Sequence, residues 1–526
     1  MSATYDVIVA GSGHNGLTAA AYLAKAGQKV LILERNDWFG GGCMTGEFVA
    51  PGFRLDVHSN AHHLIQANPL IRNDELGLLS KYGLKYIYPD AQFSTIFDDG
   101  SYIITYADLD RTCDSIAAIS PRDAEVYRKF ATMSRETLPL LVSGLFVPPV
   151  PQGSFWALLD QSPQGQRLMH MLQKSVMEIL YEYFENEKVI IHLAKFASEA
   201  FVGPDQKAAG FIVFTMPGFM HTYPGGLPVG GSGMLIEALM KCLQAQGAEF
   251  RLNTEVDKVV VEGGRAVGVR TRDGETIRAK NAVLGTIHPR LLERFVDGLD
   301  ERVAANARRV QTASYAIMSQ IFALNEAPKY HAGEEPGSAL IAGFGSSRLE
   351  DFRRTFDDFR HGDLTAHDAI ISAMVNSNYD PSRAPPGKAT LTLYGFGPFE
   401  LRDGGSAAWD ARKDEFSDWL LGQYRRYVSN LDERNIIGLR FYTPLDIARH
   451  SPSFQNGDVT GVGKFFHQIG GHRPTPELSQ YTVPGVERLY LAGTFMHPPG
   501  GVTGGGRATA IKMCRDLGID FERLCR

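Results

Sequence analysis

The sequence predicts an α/β protein: a Rossmann-like dinucleotide-binding domain assembled from three separated segments, joined to a mixed sheet-and-helix second domain. Three observations predict it. An apolar strand at the N-terminus runs into a G-x-G-x-x-G turn and a helix. Strand-and-glycine segments of similar character return over residues 223–299 and 451–526. The intervals between them, 75–222 and 300–450, alternate helical periodicity with short β-rich runs.

The first element is Tyr5-Asp6-Val7-Ile8-Val9-Ala10, followed by Gly11-Ser12-Gly13-His14-Asn15-Gly16, a helix over Leu17–Ala26, and a second strand, Lys29–Leu33, ending on Glu34. This is a whole βαβ dinucleotide fingerprint. Gly11 permits the tight turn, Gly13 lets the backbone approach a pyrophosphate, and Gly16 lets helix and strand pack closely. The helix N-terminus offers free N–H groups to phosphate oxygens, and Glu34 can accept hydrogen bonds from a ribose diol. After Glu34 come Arg35, a short spacer and Gly40-Gly41-Gly42, glycines whose exposed N–H groups form a concave nest suited to an anion.

Further along, a helix is expected over 233–246, then a strand over Glu255–Val261 and a turn at Gly263-Gly264. Hairpin strands over Ala266–Thr271 and Glu275–Arg278 and a separate short strand over Ala282–Gly285 follow. Leu489–Ala492 supplies the last strand, before Gly493, a Gly-rich loop and a final helix starting near Gly504. With residues 1–74 these make the nucleotide-binding domain. The second domain, 75–222 and 300–450, includes a helical stretch over His170–Phe184 and a helix bearing Leu349, Phe352, Phe356 and Phe359 on one face. It also has β-rich runs at 319–324, 369–374, 389–394 and 436–442. Two apolar stretches without a polar face, Pro139–Pro151 and Ala208–Met220, read as buried helix-loop segments, an apolar substrate channel, peripheral membrane contact or a homo-oligomer interface.

Size and charge bound the function. A chain of 526 residues calls for two or three domains, and its formal net charge of −6 is spread without a basic stripe, which argues against nucleic acid as a partner. Five scattered cysteines form no C-x-x-C pair, against a dithiol flavoenzyme and for a reducing compartment. The first strand begins almost at the N-terminus, leaving no room for a signal peptide, and a cytoplasmic protein, with membrane association through its apolar segments as an option, is the expectation. His467 and His472 have no partner at metal-ligand spacing, so no metal site is expected.

Taken together, these stretches resemble the phytoene desaturase-like branch of FAD-dependent oxidoreductases. The residues that carry the resemblance are Asp6 to Arg35, Gly40 to Asp56 (ending Pro51-Gly52-Phe53-Arg54-Leu55-Asp56), Tyr223-Pro224-Gly225-Gly226, and Leu489 to Gly493 through His497 to Gly504. The resemblance implies an FAD cofactor, with Gly11, Gly13 and Gly16 on its pyrophosphate and Glu34 on the adenosine ribose. Arg35, Gly41 and Gly42 fall to the flavin side of the diphosphate, and Val256 to the adenine. Gly493, Gly501, Val502 and Thr503 are implied near diphosphate and isoalloxazine. Where the family reads H-P-G-G-G-V-x-G-A-P-G-R, this chain has His497-Pro498-Pro499-Gly500-Gly501-Val502-Thr503-Gly504-Gly505-Gly506-Arg507, which predicts a reshaped active-site floor.

The activity implied is a dehydrogenase or desaturase: hydride passes from a small, largely apolar organic molecule to flavin N5, and oxygen or a quinone-like carrier reoxidises the flavin. Candidate proton-handling residues are His497, His63 and Tyr223, with His58, His62, His467 and His472 behind them. Arg473 is read as facing an anionic substrate group, the diphosphate or solvent. A flavin amine oxidase, a redox-neutral flavin isomerase and a flavin-free prenyl-binding protein are the alternatives.

Overall fold

The computed structural model describes residues 4–364 and 370–526. Its first sheet has the order Val256–Glu262, Arg265–Thr271, Val486–Leu491, Thr276–Gly285, Tyr5–Ala10, Val30–Leu33, Glu249–Arg251, with Thr482–Val483 pairing beside Val486–Leu491. The five strands from Val486–Leu491 to Glu249–Arg251 are mutually parallel. Their near-continuous apolar character follows from burial on both faces. Val7, Val9, Val30 and Ile32 point one way, toward helices His14–Lys25, Gly233–Ala245 and Gly506–Leu517. Ile8, Ala10, Leu31 and Leu33 point the other way, into a cluster built on the hairpin Val256–Thr271. That hairpin closes through Gly263 and Gly264 at φ +57° and +78°, the two positive values a tight two-residue turn demands.

Sequence periodicity misjudged two elements. The expected pair of strands at 275–278 and 282–285 is one strand, Thr276–Gly285. Its first residues pair antiparallel with Arg265–Thr271, and its last pair parallel with Tyr5–Ala10. Conversely, the apolar stretch His170–Phe184 is broken: one helix ends at Gln173 and the next starts at Val176, where Ser175 and Glu178 form a reciprocal capping box. An S-x-x-E signal starts a helix even inside an unbroken hydrophobic pattern.

The second sheet runs Ile436–Tyr442, Ala316–Leu324, Ala389–Gly397, Ile371–Met374, Ile341–Gly345, Ala91–Phe97, Tyr102–Tyr106, antiparallel except between Ile341–Gly345 and Ala91–Phe97. The β-rich runs expected from sequence lie within it, save Ile370, which precedes the strand Ile371–Met374, and Ala369, which falls outside the described residues. One face carries the helices of 109–220 together with Leu349–Arg360, whose Leu349, Phe352, Phe356 and Phe359 are all buried as their spacing predicted. The other face packs on Trp409, Phe416, Leu420 and Tyr424. Packing carries the nucleotide-binding layer past the limits expected at 74 and 299. Leu76, Leu78 and Leu84 lie in the cluster against helix His14–Lys25, and Val303, Ala307 and Val310 in the cluster on the opposite face. Among the described residues, no helix is long and apolar enough to cross a membrane.

Candidate active site

The two sheets flank one cavity of about 640 Å³, within the range of a ligand site. One end is built by the fingerprint. Gly11 sits at φ +98°, and a Cβ there would meet Thr286 Oγ1 at 1.9 Å, because the Thr286 hydroxyl closes the turn by donating to Ala10 O at 2.9 Å. At Gly16 a Cβ would fall 2.7 Å from Thr286 Cγ2. Thr286 thus fills the space those two glycines leave, a role no motif signals. Gly13 differs: its φ of −59° suits any residue, and a Cβ would meet no protein atom within 4 Å. It faces the cavity, as does the uncapped first turn of helix His14–Lys25. Such a turn presents unpaired N–H groups and the positive end of the helix dipole.

Glu34 follows the second parallel strand and is fixed on three sides. One carboxylate oxygen accepts from Ser12 N (3.0 Å) and Ser12 Oγ (2.6 Å), the other from Asn36 N at 3.0 Å. Held so, it keeps lone pairs for a diol at the cavity wall, which it lines beside Val256. Arg35 donates to His450 O at 3.1 Å; Gly41 packs on Gly13, where a Cβ on Gly41 would lie 3.2 Å from Gly13 Cα, and both Gly41 and Gly42 line the cavity. Gly493, Gly501, Val502 and Thr503 also line the cavity. A Cβ on Gly501, as on Gly13, would enter open space. Asn68, which sequence reasoning overlooked, donates to Thr503 O (2.9 Å) and Gly504 O (3.1 Å) and braces this loop from behind. The buried ion pair Arg383–Asp56 ties the second sheet to the glycine-loop segment, since Asp56 also accepts from Thr45 Oγ1 and Ser232 N.

These residues fit a dinucleotide with a planar ring system. Gly13 and Gly501 both line the cavity and leave open space where a Cβ would lie, the first turn of helix His14–Lys25 offers N–H groups to an anion, and Glu34 offers a carboxylate already held in place.

Of the three proton-handling candidates, two line the cavity. His63 does so with neither ring nitrogen hydrogen-bonded, and burial holds it neutral by lowering its pKa to about 4. Tyr223 lies at the wall, accepting from Arg72 Nη1 at 3.1 Å with the guanidinium 4.9 Å from its ring centroid. His497 is corrected. It does not line the cavity; its Nε2 meets Gly144 O at 3.1 Å on the far side of the loop, and burial lowers it to about 4. Arg473 is corrected too: it is fully buried, donating to the carbonyls of Met496 (3.0 Å), Val462 (3.0 Å) and Thr494 (2.8 Å), so it supports the loop's backbone and meets neither substrate nor solvent. His62 is structural, bonded to Tyr86 and Ser232 through its two nitrogens. His58 sets its Nε2 against His450 Nδ1 at 2.7 Å. Among the described residues, no cluster of three His, Cys, Asp or Glu side chains is arranged to hold a metal.

Beyond the glycine loops the cavity turns apolar. The stretch Ala208–Met220 forms helix Ala209–Met220, which gives it Phe211, Ile212, Met216 and Phe219; Leu141 and Leu145 come from the end of helix Pro121–Leu145. Residues of both stretches without a polar face therefore line this apolar part of the cavity. Three polar groups in this region were not singled out from sequence: Glu199, Tyr394 and Lys464. Lys464 donates to Ala200 O at 2.5 Å, and burial lowers its pKa to about 8. Only the fold brings them together, from three separate segments of the chain.

A site of this construction defines a flavin-dependent oxidoreductase, and comparison with known proteins agrees. The pattern of the flavin-containing amine oxidoreductases matches residues 16–517, and the chain belongs to that family. FAD is its cofactor and it is an FAD-dependent oxidoreductase. It is similar to one component of the limonene dehydrogenase of Castellaniella defragrans (28% identical, covering 98% of this chain and 95% of that one). It also resembles pyridine nucleotide-disulfide oxidoreductase domain-containing protein 2 of Mus musculus (26%; 98% and 94%). Phytoene desaturase (lycopene-forming) of Pseudescherichia vulneris is a further relative (25%; 97% and 99%). Among solved structures, putrescine oxidase shares the fold at a TM-score of 0.63 and 15% identity, covering 98% of this chain and 99% of that one.

Proposed function

We propose that this protein is a dehydrogenase or desaturase that removes hydrogen from a small, largely apolar organic molecule. The observation that supports this most is the channel walled by Phe211, Ile212, Met216 and Phe219, which opens without a break onto the glycine-lined cofactor end. Bound FAD supplies the two-electron acceptor. The chain supplies the rest. The first turn of helix His14–Lys25 and the nest at Gly41 and Gly42 hold the diphosphate, and Glu34 holds the ribose. The helix Gly506–Leu517 directs its positive end at the loop over Gly501–Thr503 and would favour negative charge there. The aromatic walls exclude water and orient the substrate. His63, neutral and without a protein partner, is placed to accept a proton at the cavity wall. Two relatives named as acting on hydrocarbons, the limonene dehydrogenase component and phytoene desaturase, support an apolar substrate.

The test is an anaerobic mixing of purified holoenzyme with panels of polyenes, cyclic terpenes, alcohols and amines while flavin absorbance is followed. Bleaching by apolar compounds is the expected result. Bleaching by short amines alone would replace this reading with an amine oxidase, and bleaching by none of them would refute it.

A further inference from the structure

The channel contains one feature that an apolar substrate does not explain. Glu199 follows helix Glu187–Ser198 and lies deep inside the protein, yet it keeps accessible surface, and that surface faces the cavity. Its oxygens accept from Ser372 Oγ at 3.1 Å and Tyr394 Oη at 2.8 Å, both on strands of the second sheet. Lys195, one helical turn earlier and also buried, interacts with it electrostatically. Removing a carboxylate from water is costly unless its hydrogen bonds are replaced. Here each oxygen has one donor from the protein, and a carboxylate oxygen can accept more than one hydrogen bond. A purely hydrocarbon ligand would leave that capacity unused.

The local charge decides what completes them. Glu199 is the acid of the apolar half of the cavity. The other lining carboxylates, Glu34 and Glu255, stand by Val256, Glu34 held by Ser12 and Asn36 and Glu255 ion-paired with Arg272 and Arg294. Beside Glu199 stands Lys195; Lys464, whose Nζ donates to the carbonyl of the next residue, Ala200, is itself faced by Arg473 and Asp458. An ammonium group arriving here would join a cluster that already holds more cations, Lys195, Lys464 and Arg473, than anions, Glu199 and Asp458. A neutral donor adds no charge.

Building on the apolar-substrate reading, we propose that Glu199 anchors a single hydroxyl group on an otherwise apolar substrate, accepting its hydrogen bond while Tyr394 and Ser372 hold the carboxylate in place. The site thus selects alcohols over the matching hydrocarbons and amines, and fixes which end of the molecule enters first.

The holoenzyme is incubated with an equimolar mixture of geraniol, geranylamine and 2,6-dimethylocta-2,6-diene, with the farnesyl counterparts of each. Retained compounds are then quantified by mass spectrometry after rapid gel filtration. Alcohols should be retained about tenfold or more over the hydrocarbons, the worth of one hydrogen bond to a charged acceptor. Glu199→Leu should abolish that preference while FAD absorbance stays that of the wild type. Tyr394→Phe and Ser372→Ala should each weaken it severalfold, which keeps the test open if Glu199→Leu does not fold. Equal retention of hydrocarbons and alcohols, or a preference for amines, overturns the hydroxyl anchor and leaves the apolar-substrate reading standing. Retention of no compound overturns both.

Discussion

Gly11 and Gly13 occupy the same motif, but the structure assigns them opposite costs on substitution. At Gly13 the backbone is in a conformation open to any residue, and a Cβ would touch no protein atom within 4 Å. Gly13→Ala therefore loses at most about 1 kcal/mol of apoprotein stability, the difference between glycine and alanine at a helix N-cap. At Gly11 an alanine must adopt φ +98°, which costs about 1–2 kcal/mol. It also overlaps Thr286 Oγ1 at 1.9 Å, adding about 1–3 kcal/mol of overpacking. Gly11→Ala should lose about 2–5 kcal/mol before any ligand is considered. Cofactor binding reverses the ranking of interest: the Cβ at Gly13 enters the space where the diphosphate must lie. With FAD at 100 times its Kd, the wild type gains about 2.7 kcal/mol; Gly13→Ala should gain almost none. Thermal melts of the two apoproteins with and without FAD, paired with a fluorescence titration of FAD, read both quantities. A Gly13→Ala protein that binds FAD with wild-type Kd would refute the placement of the diphosphate against this residue.

Arg383→Ala should cost about 3–5 kcal/mol in denaturant unfolding, since it strands the fully buried Asp56 carboxylate; a loss below about 1 kcal/mol would show that pair to be dispensable. Acid should unfold the protein well above the carboxylate range. His58, His62 and His192 are held neutral near pKa 3 and His14, His63 and His288 near 4, all by burial. Because the folded values lie below the unfolded value of about 6.5, the unfolded chain binds more protons between these limits. Stability is then fully present above pH 6.5 and falls as pH drops toward 4; unfolding midpoints flat from pH 7 to 5 would contradict it. Ser175→Ala should cost about 1 kcal/mol through the lost capping box, and flavin reduction by substrate should not change; a slowed reduction would tie that helix start to the site.

Much of the cofactor end was legible because its determinants are local. A glycine fingerprint, an acid after the second strand and a second glycine run each name a backbone geometry within a few residues, and the fold places all of them on one wall system. The substrate end was not legible for the converse reason. Glu199, Tyr394 and Lys464 are single polar residues with no spacing between them; what joins them is the approach of helix Glu187–Ser198 to the second sheet. His497 shows the limit of motif adjacency. It neighbours the flavin loop in sequence but points to the reverse of it, toward Gly144. The long strand Thr276–Gly285 was divided because a polar pair, Lys280-Asn281, interrupts its pattern where the strand passes from the hairpin into the parallel sheet.

The sheet's connectivity sets an order of events during synthesis. Tyr5–Ala10 is synthesised long before one of its two neighbours, Thr276–Gly285, and Ala10 O receives its bond from Thr286, 276 residues away. At about 5–20 residues per second the edge facing that neighbour stays open for tens of seconds. The parallel sheet waits longer still for Val486–Leu491. An apolar, unpaired strand exposed for that time is a template for pairing with other chains. Yield in the cell should therefore depend on chaperones that shield the N-terminal βαβ unit, and a fragment ending before residue 276 should aggregate rather than fold.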